Sequence, residues 1–204
     1  MFEKIREDIG LKREWFMKDD GWFVRNIRIW LEPGTVAVLV YRYGNWIRQV
    51  DVPVIREILL MPYWVAKALV ILTSQIYIAS RAPIGKGLVL HNFSGIYLMP
   101  ARIGKNCIVF QGVLIGHLRH TRGPRSAPII GDNVFLGAGC KILGDVTIGN
   151  NVVVGANSLV VTSVPDNCTV VGVPARVVSR NTQWAREKFE RIASSKLGTD
   201  HDHV

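Results

Sequence analysis

Acidic residues are scarce in this sequence, and a long central stretch has none. Sixteen acidic residues stand against 25 lysines and arginines, which gives a formal charge of +9. No aspartate or glutamate occurs between Glu57 and Asp132. The basic residues inside this stretch are Lys67, Arg81, Lys86, Arg102, Lys105, Arg119, Arg122 and Arg125. Such a basic belt favours a polyanionic partner, either a ligand with several phosphates or an anionic lipid surface. Aromatic residues do not alternate with it, so nucleic acid is not expected.

Cysteine is also scarce, and its placement excludes a cysteine metal site. The three cysteines, Cys107, Cys140 and Cys168, show no metal-ligand spacing. Small core side chains are their favoured role, ahead of redox or nucleophilic chemistry. The charged start of the chain does not read as a signal peptide. A reducing compartment fits these features, and we expect a cytoplasmic protein.

The sequence lacks an apolar run long enough to cross a bilayer. The stretch Ile58–Leu72 is apolar apart from Lys67, but it contains Pro62 and is shorter than the roughly 20 residues of a spanning helix. We expect a helix buried against the rest of the chain or a neighbouring subunit. The alternative is a shallow, peripheral contact with the inner face of a membrane, which the basic belt would assist.

The first 75 residues are predicted to form a helical N-terminal region. Residues 1–20 suit an amphipathic helix, and the break at Glu32-Pro33-Gly34 precedes a second one from Thr35. A strongly apolar helix is predicted from Val54 to Ser74. Beyond the central part, residues 181–204 are predicted to form a short helix, Gln183–Ser194, and a disordered tail.

Between these regions, residues 76–180 carry aliphatic residues at a period of six. The ladder runs through Ile78, Ile84, Leu90 and Ile96, then, after a slip of one residue, through Ile103, Val109, Ile115, Ile130, Leu136, Ile142, Ile148, Val154 and Val160. Neither a helix nor a plain alternating strand has this period. Hexads of this kind predict a parallel β-helix, in which three hexads close one triangular coil. The fold class is therefore mainly β, with helices at both ends.

Glycine and asparagine mark the corners of the predicted coils. Gly104-Lys105-Asn106, Gly131-Asp132-Asn133 and Gly149-Asn150-Asn151 supply residues that tolerate left-handed backbone angles. The ladder fails once, between Ile115 and Ile130. A solenoid can insert residues only at a corner, so this segment, with His117 and His120, is predicted to be an extended loop. Loops on rigid scaffolds are frequent sites of chemistry.

These motifs resemble one known family. The ladder, the segment Gln111–Gly116, the run Gly137–Gly144 and the segment Gly172–Val177 look like the serine acetyltransferase branch of the left-handed β-helix acyltransferases. That branch includes sugar acetyltransferases from surface-polysaccharide clusters, such as the colanic acid type. The resemblance implies a left-handed coil, acetyl-CoA as acyl donor and no metal. It also implies a homotrimer, with pairs of trimers in some members.

The resemblance places the donor in a groove between two subunits. Its matching positions here are Gly116, Ala138, Gly139, Ala156, Ser158 and Arg176. The acceptor side departs from the family pattern. An Asp-His pair carries the base in serine acetyltransferases, but His91-Asn92 stands at that place. Tyr77 replaces an aspartate, and Ser126-Ala127-Pro128 replaces the Arg-His-Pro that contacts serine. These departures favour a saccharide or another small-molecule acceptor over serine.

Acyl transfer needs a base, and histidine is the usual one near neutral pH. The candidates are His91, His117 and His120, and they stay open at this point. His91 is expected at a corner, exposed or at a subunit seam. Asn92 cannot accept a proton, although it can donate a hydrogen bond to an oxyanion.

The main hypothesis is therefore an acetyl-CoA-dependent O-acetyltransferase that acts on a sugar of a surface polysaccharide or its precursor. The alternative within the same class is serine O-acetyltransferase. Two further alternatives are metal-dependent hydration, with zinc held by histidines between subunits, and a β-helix without catalytic activity.

Overall fold

The computed structural model describes residues 1–91, 94–117, 127–183, 185 and 187–190. The helical N-terminal part contains α1 (Phe2–Phe16), a π-helical turn (Val24–Arg28), α2 (Ile29–Leu31), α3 (Pro33–Ile47) and α4 (Pro53–Ser74). Pro33 lies in the first turn of α3. An N–H group at this position would have no acceptor within the helix, so the N–H that proline lacks is not needed. The predicted helices are thus present, with starts within two residues of the expected positions.

In the described part of the chain, strands β1–β12 follow and form three parallel sheets. Sheet A contains β1 (Ile76–Ile78), β3 (Ile96–Leu98), β6 (Leu114–Gly116), β9 (Lys141–Leu143) and β12 (Leu159–Val160). Sheet B contains β4 (Arg102–Ile103), β7 (Ile129–Ile130) and β10 (Thr147–Ile148). Sheet C contains β2 (Leu88–Leu90), β5 (Cys107–Val109), β8 (Phe135–Leu136) and β11 (Val153–Val154). Each coil visits the three sheets in turn, so the hexads form a three-sided β-helix.

The interior of the β-helix is filled by the residues of the hexad ladder. The ladder residues from Ile103 to Val160 are at most 1% exposed and belong to one continuous apolar cluster. All three cysteines are buried as free thiols among them. Burial raises the pKa of the Cys140 thiol to about 12, so it is not a nucleophile near neutral pH.

The structure corrects the position of the slip in the ladder. Leu98, and not Ile96, pairs with Ile78 in sheet A, while Ile96 pairs with Ile76. Ile103 then pairs with Ile84. Two extra residues therefore lie between Leu90 and Leu98, and one residue is missing between Leu98 and Ile103. Ile96 and Leu98 are both apolar and of nearly equal size, so the spacing of apolar residues could not distinguish this arrangement from a single slip.

An asparagine ladder forms one corner of the rod. Asn106, Asn133, Asn151 and Asn167 have φ angles between 54° and 59°. Each of the first three donates its side-chain amide to the side-chain oxygen of the next, at 2.9, 3.0 and 2.9 Å. Left-handed backbone at these corners confirms the prediction from the Gly-x-Asn motifs.

Two ion pairs hold the helices together and against the first coil, and one of them, Asp8–Arg42, is buried. Arg42 of α3 donates two hydrogen bonds to the Asp8 carboxylate, at 2.9 and 3.0 Å, and one to the Ile84 carbonyl. Lys12 lies 2.6 Å from Glu32 and donates to Thr35 at 2.9 Å. Burial raises the pKa of the Asp8 carboxyl, and the Arg42 guanidinium opposes this shift. The helices therefore close the N-terminal end of the apolar core.

Most of helix α4 is not buried against the rest of its own chain, and burial against a neighbouring subunit stays a prediction. Tyr63, Val70 and Ser74 are its buried residues. Most of its large apolar side chains are exposed instead. Among the described residues, no helix is long and apolar enough to cross a membrane.

The chain does not leave the coil directly after Val164. Strand β13 (Thr169–Gly172) pairs in parallel with β11 and extends sheet C. Strand β14 (Ala175–Ser179) then pairs with β13 in antiparallel orientation. Beyond this hairpin, Gln183, Ala185 and residues 187–190 are helical. The predicted tail lies outside the described residues, and the division of the chain at residues 75 and 180 stays a prediction.

Candidate active site along one edge of the β-helix

The turns that join sheet C to sheet A lie above one another and form a continuous edge, which we call the C–A edge. It contains His91, Ser94 and Gly95 in the first coil, and residues 110–113, 137–140 and 155–158 in the next three. Backbone hydrogen bonds connect the coils: Gly112 to Ser94 at 3.1 Å, Gly139 to Gln111 at 2.8 Å and Asn157 to Ala138 at 2.8 Å.

Most of the predicted donor-binding residues lie on this edge. Ala138 and Gly139 lie in the third coil, and Ala156 and Ser158 lie in the fourth. Ala138 and Gly139 are half-buried and Ala156 is exposed, so small side chains leave the backbone open to a ligand.

Two of these positions also have a structural reason for their residue type. Gly139 has a φ of 71°, and a Cβ there would collide with the side-chain oxygen of Asn157. Ser158 is buried, and its hydroxyl accepts a hydrogen bond from the Gly172 amide at 3.2 Å. Ser158 therefore holds the β13–β14 hairpin against the edge.

Arg176 and Gly116, the other two predicted donor-binding residues, lie outside the C–A edge. Arg176 is exposed on β14, two residues after the turn held by Ser158, and its guanidinium donates to the Ala175 carbonyl at 3.0 Å. It lies next to the last coil of the C–A edge. Gly116 ends β6, at the opposite side of sheet A.

His91 lies in the first coil of the C–A edge, inside an aromatic contact. Phe16, at the end of α1, stacks on the imidazole with 3.7 Å between ring centroids and 9° between ring planes. Phe110 meets the same ring edge-on at 5.0 Å. The half-buried ring is covered by the helix of its own chain. His91 thus lies at a corner, as expected, but it is half-buried because α1 packs over this corner. Its place at a subunit seam stays a prediction.

The surroundings of His91 favour the neutral imidazole. Burial lowers the pKa of His91 below its usual 6.5, and the nearby Lys12 ammonium lowers it further. Glu32 acts in the opposite direction. A neutral imidazole is the form that can accept a proton.

The two described candidate histidines, His91 and His117, do not converge within one chain. His117 is exposed and follows β6, so it lies at the far side of sheet A from His91. Parallel pairing of β3 with β6 keeps these two sides separated by the length of the strands. His120 and Asn92 lie outside the described residues. Among the described residues, no group of three or more histidine, cysteine, aspartate or glutamate side chains is placed to hold a metal ion.

Sequence reasoning missed the aromatic cluster around His91. Trp15, Phe110, Phe135 and Phe189 pack near it, and the Lys188 ammonium lies 4.3 Å from the Trp15 ring. The amphipathic pattern of residues 1–20 does not show which sheet the helix covers. Contacts between residues 75 apart in sequence come only from the tertiary fold.

The architecture is a β-helix built from hexapeptide repeats. Residues 127–162 match the family model described as bacterial transferase hexapeptide (six repeats). Solved serine acetyltransferases share the architecture over most of the chain. The predicted fold class, a left-handed parallel β-helix with N-terminal helices, is confirmed.

Curated relatives point to one branch of these proteins. The chain is 36% identical over 150 residues to the serine acetyltransferase of Synechococcus elongatus, which covers 73% of this chain and 58% of the relative. It is 42% identical over 110 residues to that of Staphylococcus xylosus, over 53% of this chain and 50% of the relative. The chain thus spans about half the length of the curated relatives it matches.

Solved structures of serine acetyltransferases are also similar to this chain. The serine acetyltransferase of Neisseria gonorrhoeae superposes with a TM-score of 0.74 at 27% identity, covering 88% of this chain and 66% of the other. The same enzyme in complex with serine gives 0.73 at 27% identity, over 87% and 69%. The Brucella abortus enzyme in complex with coenzyme A gives 0.74 at 25% identity, over 88% and 68%.

These comparisons confirm the resemblance to hexapeptide-repeat acyltransferases and correct the predicted acceptor. The main hypothesis, a sugar of a surface polysaccharide, is contradicted, because the relatives at 36 and 42% identity are serine acetyltransferases. These relatives match the alternative hypothesis, serine O-acetyltransferase, which the residues at the acceptor positions had not favoured. Substitutions at a few acceptor positions were thus a weaker guide than similarity over 150 residues.

Proposed function

We propose that this chain is a serine O-acetyltransferase that transfers the acetyl group of acetyl-CoA to the hydroxyl of L-serine. The observation that carries the proposal is the 36% identity over 150 residues with a serine acetyltransferase. Structural neighbours bound to coenzyme A and to serine support both substrates. The acid-free basic belt suits the phosphates of the donor.

The C–A edge is the proposed track for coenzyme A. Ala138, Gly139 and Ala156 lie in successive coils above His91, so a pantetheine arm along the edge would bring its thioester towards the first coil. Arg176 at the last coil would meet the phosphates at the other end. Gly116 faces the far side of sheet A and would contact the donor of a neighbouring copy.

His91 is the proposed general base. Its neutral imidazole would take the proton of the serine hydroxyl while the hydroxyl oxygen attacks the thioester carbonyl carbon. The carbon–sulfur bond then breaks, and the thiolate of coenzyme A takes the proton from the imidazolium. Of the two described candidates, His91 is the one that shares an edge with the small residues. Catalytic roles for His117, His120 and Asn92 stay predictions.

The acceptor is tested by thiol release from acetyl-CoA. We expect release with L-serine and none above background with L-alanine, which is the same amino acid without the hydroxyl. Ala127 stands where the resembled family has a histidine that contacts serine, so a high KM for serine is expected. Equal rates with serine, with alanine and without an amino acid would refute serine as the acceptor.

The base is tested by His91→Phe, which keeps a planar ring in the aromatic contact. We expect kcat to fall by about 10²–10⁴-fold, the usual contribution of a general base, with an unchanged circular dichroism spectrum. His117→Ala is the matched control on the other side of sheet A, and a smaller effect is expected. The assignment to His91 fails if His91→Phe keeps wild-type turnover.

A further inference from the structure

Helix α4 has its apolar side turned away from the protein. Its nine most prominent outward side chains are between 38 and 78% exposed: Val54, Ile55, Ile58, Met61, Trp64, Val65, Leu69, Ile71 and Leu72. Together they expose on the order of 1,000 Å² of mostly apolar surface, whereas the largest patch of a typical soluble monomer is about 300–600 Å². We propose that this face of α4 is a docking surface for an anionic lipid membrane, on which the helix lies flat.

The polarity of the helix is inverted relative to an ordinary surface helix. Residues 100° apart along the helix place Tyr63, Val70 and Ser74 on one side, which packs against the protein. The opposite side carries only two polar side chains, Glu57 and Thr73, and the Thr73 hydroxyl donates to the Leu69 carbonyl at 2.7 Å. Water is a poor solvent for such a face, and hydrocarbon is a good one.

Charge favours lipid over a second copy of the chain. Two copies placed face to face across α4 would bring the basic residues of this region together, whereas an anionic surface attracts them. Arg56 and Lys67 belong to α4, and Arg48 and Arg81 belong to the segments before and after it, against Asp51 and Glu57. Basic residues beside an apolar helix face are the usual pattern of attachment to anionic lipids.

The chemistry of the face itself also suits lipid. A specific protein interface carries about ten direct hydrogen bonds and a polar rim that sets its register. The outward side of α4 offers almost no donor or acceptor for that purpose. Trp64 is amphipathic and half-exposed, as are the aromatic residues that anchor proteins at the headgroup level.

The docking surface on α4 lies close to the first coil of the β-helix. Helix α4 ends at Ser74 and β1 begins at Ile76, so the first coil of the β-helix is attached directly to the docking helix. Lys67 also contacts the first coil, with its ammonium 3.4 Å from the Ser80 hydroxyl and 4.8 Å from the Tyr77 ring. The end of the rod that carries His91 would therefore lie nearest the membrane.

The test is co-sedimentation of the full-length protein with two kinds of vesicle, together with its mass in solution. We expect binding to vesicles of phosphatidylcholine mixed with phosphatidylglycerol, weaker binding to phosphatidylcholine alone, and a decrease with salt. Ile58→Glu/Leu72→Glu should weaken vesicle binding by roughly tenfold or more, because it places two charges on the apolar face. Val178→Glu is the matched control, an exposed apolar residue of β14 far from α4.

Two outcomes would overturn the proposal. The first is wild-type protein that sediments with neither kind of vesicle. The second is a double variant that binds vesicles like the wild type but has a smaller mass in solution, because a second copy would then occupy the face. Retained thiol release in the double variant, in the absence of vesicles, shows that the docking surface and the proposed activity are separate.

Discussion

At the level of single residues, the contact between Phe16 and His91 is the most informative. Phe16 belongs to the first helix, and His91 belongs to the first coil of the β-helix. Their parallel rings, 3.7 Å apart, fix the plane of the imidazole and remove water from one of its faces. The helical N-terminal part thereby orients the proposed base, a role that its sequence alone does not indicate.

Phe16→Leu should raise the pKa of His91 towards 6.5, because burial is the main cause of its lowered value and the substitution opens one ring face. NMR titration of the His91 ring protons measures this pKa without any substrate. The acid limb of kcat/KM should move to higher pH in the same direction. An unchanged titration curve would show that Phe16 does not set the protonation of His91.

His91→Phe should also flatten the pH dependence of stability. The pKa of His91 is lower in the folded than in the unfolded chain, so the unfolded chain binds more protons between the two values. The free energy of unfolding therefore decreases as the pH falls through about 6.5, and this contribution disappears without the imidazole. Urea unfolding of both proteins between neutral and mildly acidic pH measures the difference. Parallel curves of unfolding free energy against pH for the two proteins would contradict this prediction.

The buried pair Asp8–Arg42 should be sensitive to the loss of one partner. Asp8→Ala leaves the Arg42 guanidinium buried without its anion and removes the acceptor of the Leu88 amide, at 2.8 Å. Loss of about 3–5 kcal/mol is expected for a broken buried pair. The double variant Asp8→Ala/Arg42→Met should lose less than the sum of the two single variants. Additive losses in urea unfolding would show that the two charges are not coupled.

At the level of structural elements, the corners of the β-helix follow directly from local residue preferences. The Gly-x-Asn motifs predicted left-handed corners, and the structure has them at Asn106, Asn133 and Asn151. The hairpin β13–β14 was not predicted, because strand pairing at the end of a solenoid depends on which chain segment reaches its open edge. The site of the slip near Leu98 was missed for a related reason, since alternating apolar residues fit two registers.

Asn133→Ala and Asn133→Gly should separate backbone strain from hydrogen bonding in the asparagine ladder. Both remove the bonds to Asn106 and Asn151, but only alanine is strained at a φ of 57°. The free energy of unfolding of the Asn133→Ala variant should therefore be about 1–2 kcal/mol lower than that of the Asn133→Gly variant. Thermal and urea unfolding measure both variants. Equal stability would mean that the left-handed corner relaxes on substitution.

At the level of the whole molecule, the open surfaces of a single chain indicate association. Tyr97, Ile129 and Val161 are exposed apolar residues on the flat sides of the rod, and the C–A edge is open to a second chain. We propose a homotrimer, as the resemblance implies, and pairing of trimers stays a prediction on the same grounds. A groove between copies would complete the donor site.

Sedimentation equilibrium should give about three times the 22.8 kDa mass of one chain. The double variant on α4 should keep that mass, because the flat sides of the β-helix and the outward face of α4 are different surfaces. Tyr97→Lys places a charge on one flat side and should lower the mass. A single-chain mass for the wild type would contradict the trimer.

The sequence alone determined the hexad rod, its corners, its helical N-terminal part and its resemblance to an acyltransferase branch, because these depend on period and on local backbone preference. Tertiary structure decided which residues meet across long separations: Phe16 over His91, Asp8 with Arg42, and Ala138 above the same edge as His91. It also decided that the apolar face of α4 points outward. A hydrophobic pattern shows that a face must be covered, but only the packed chain shows whether the protein itself covers it.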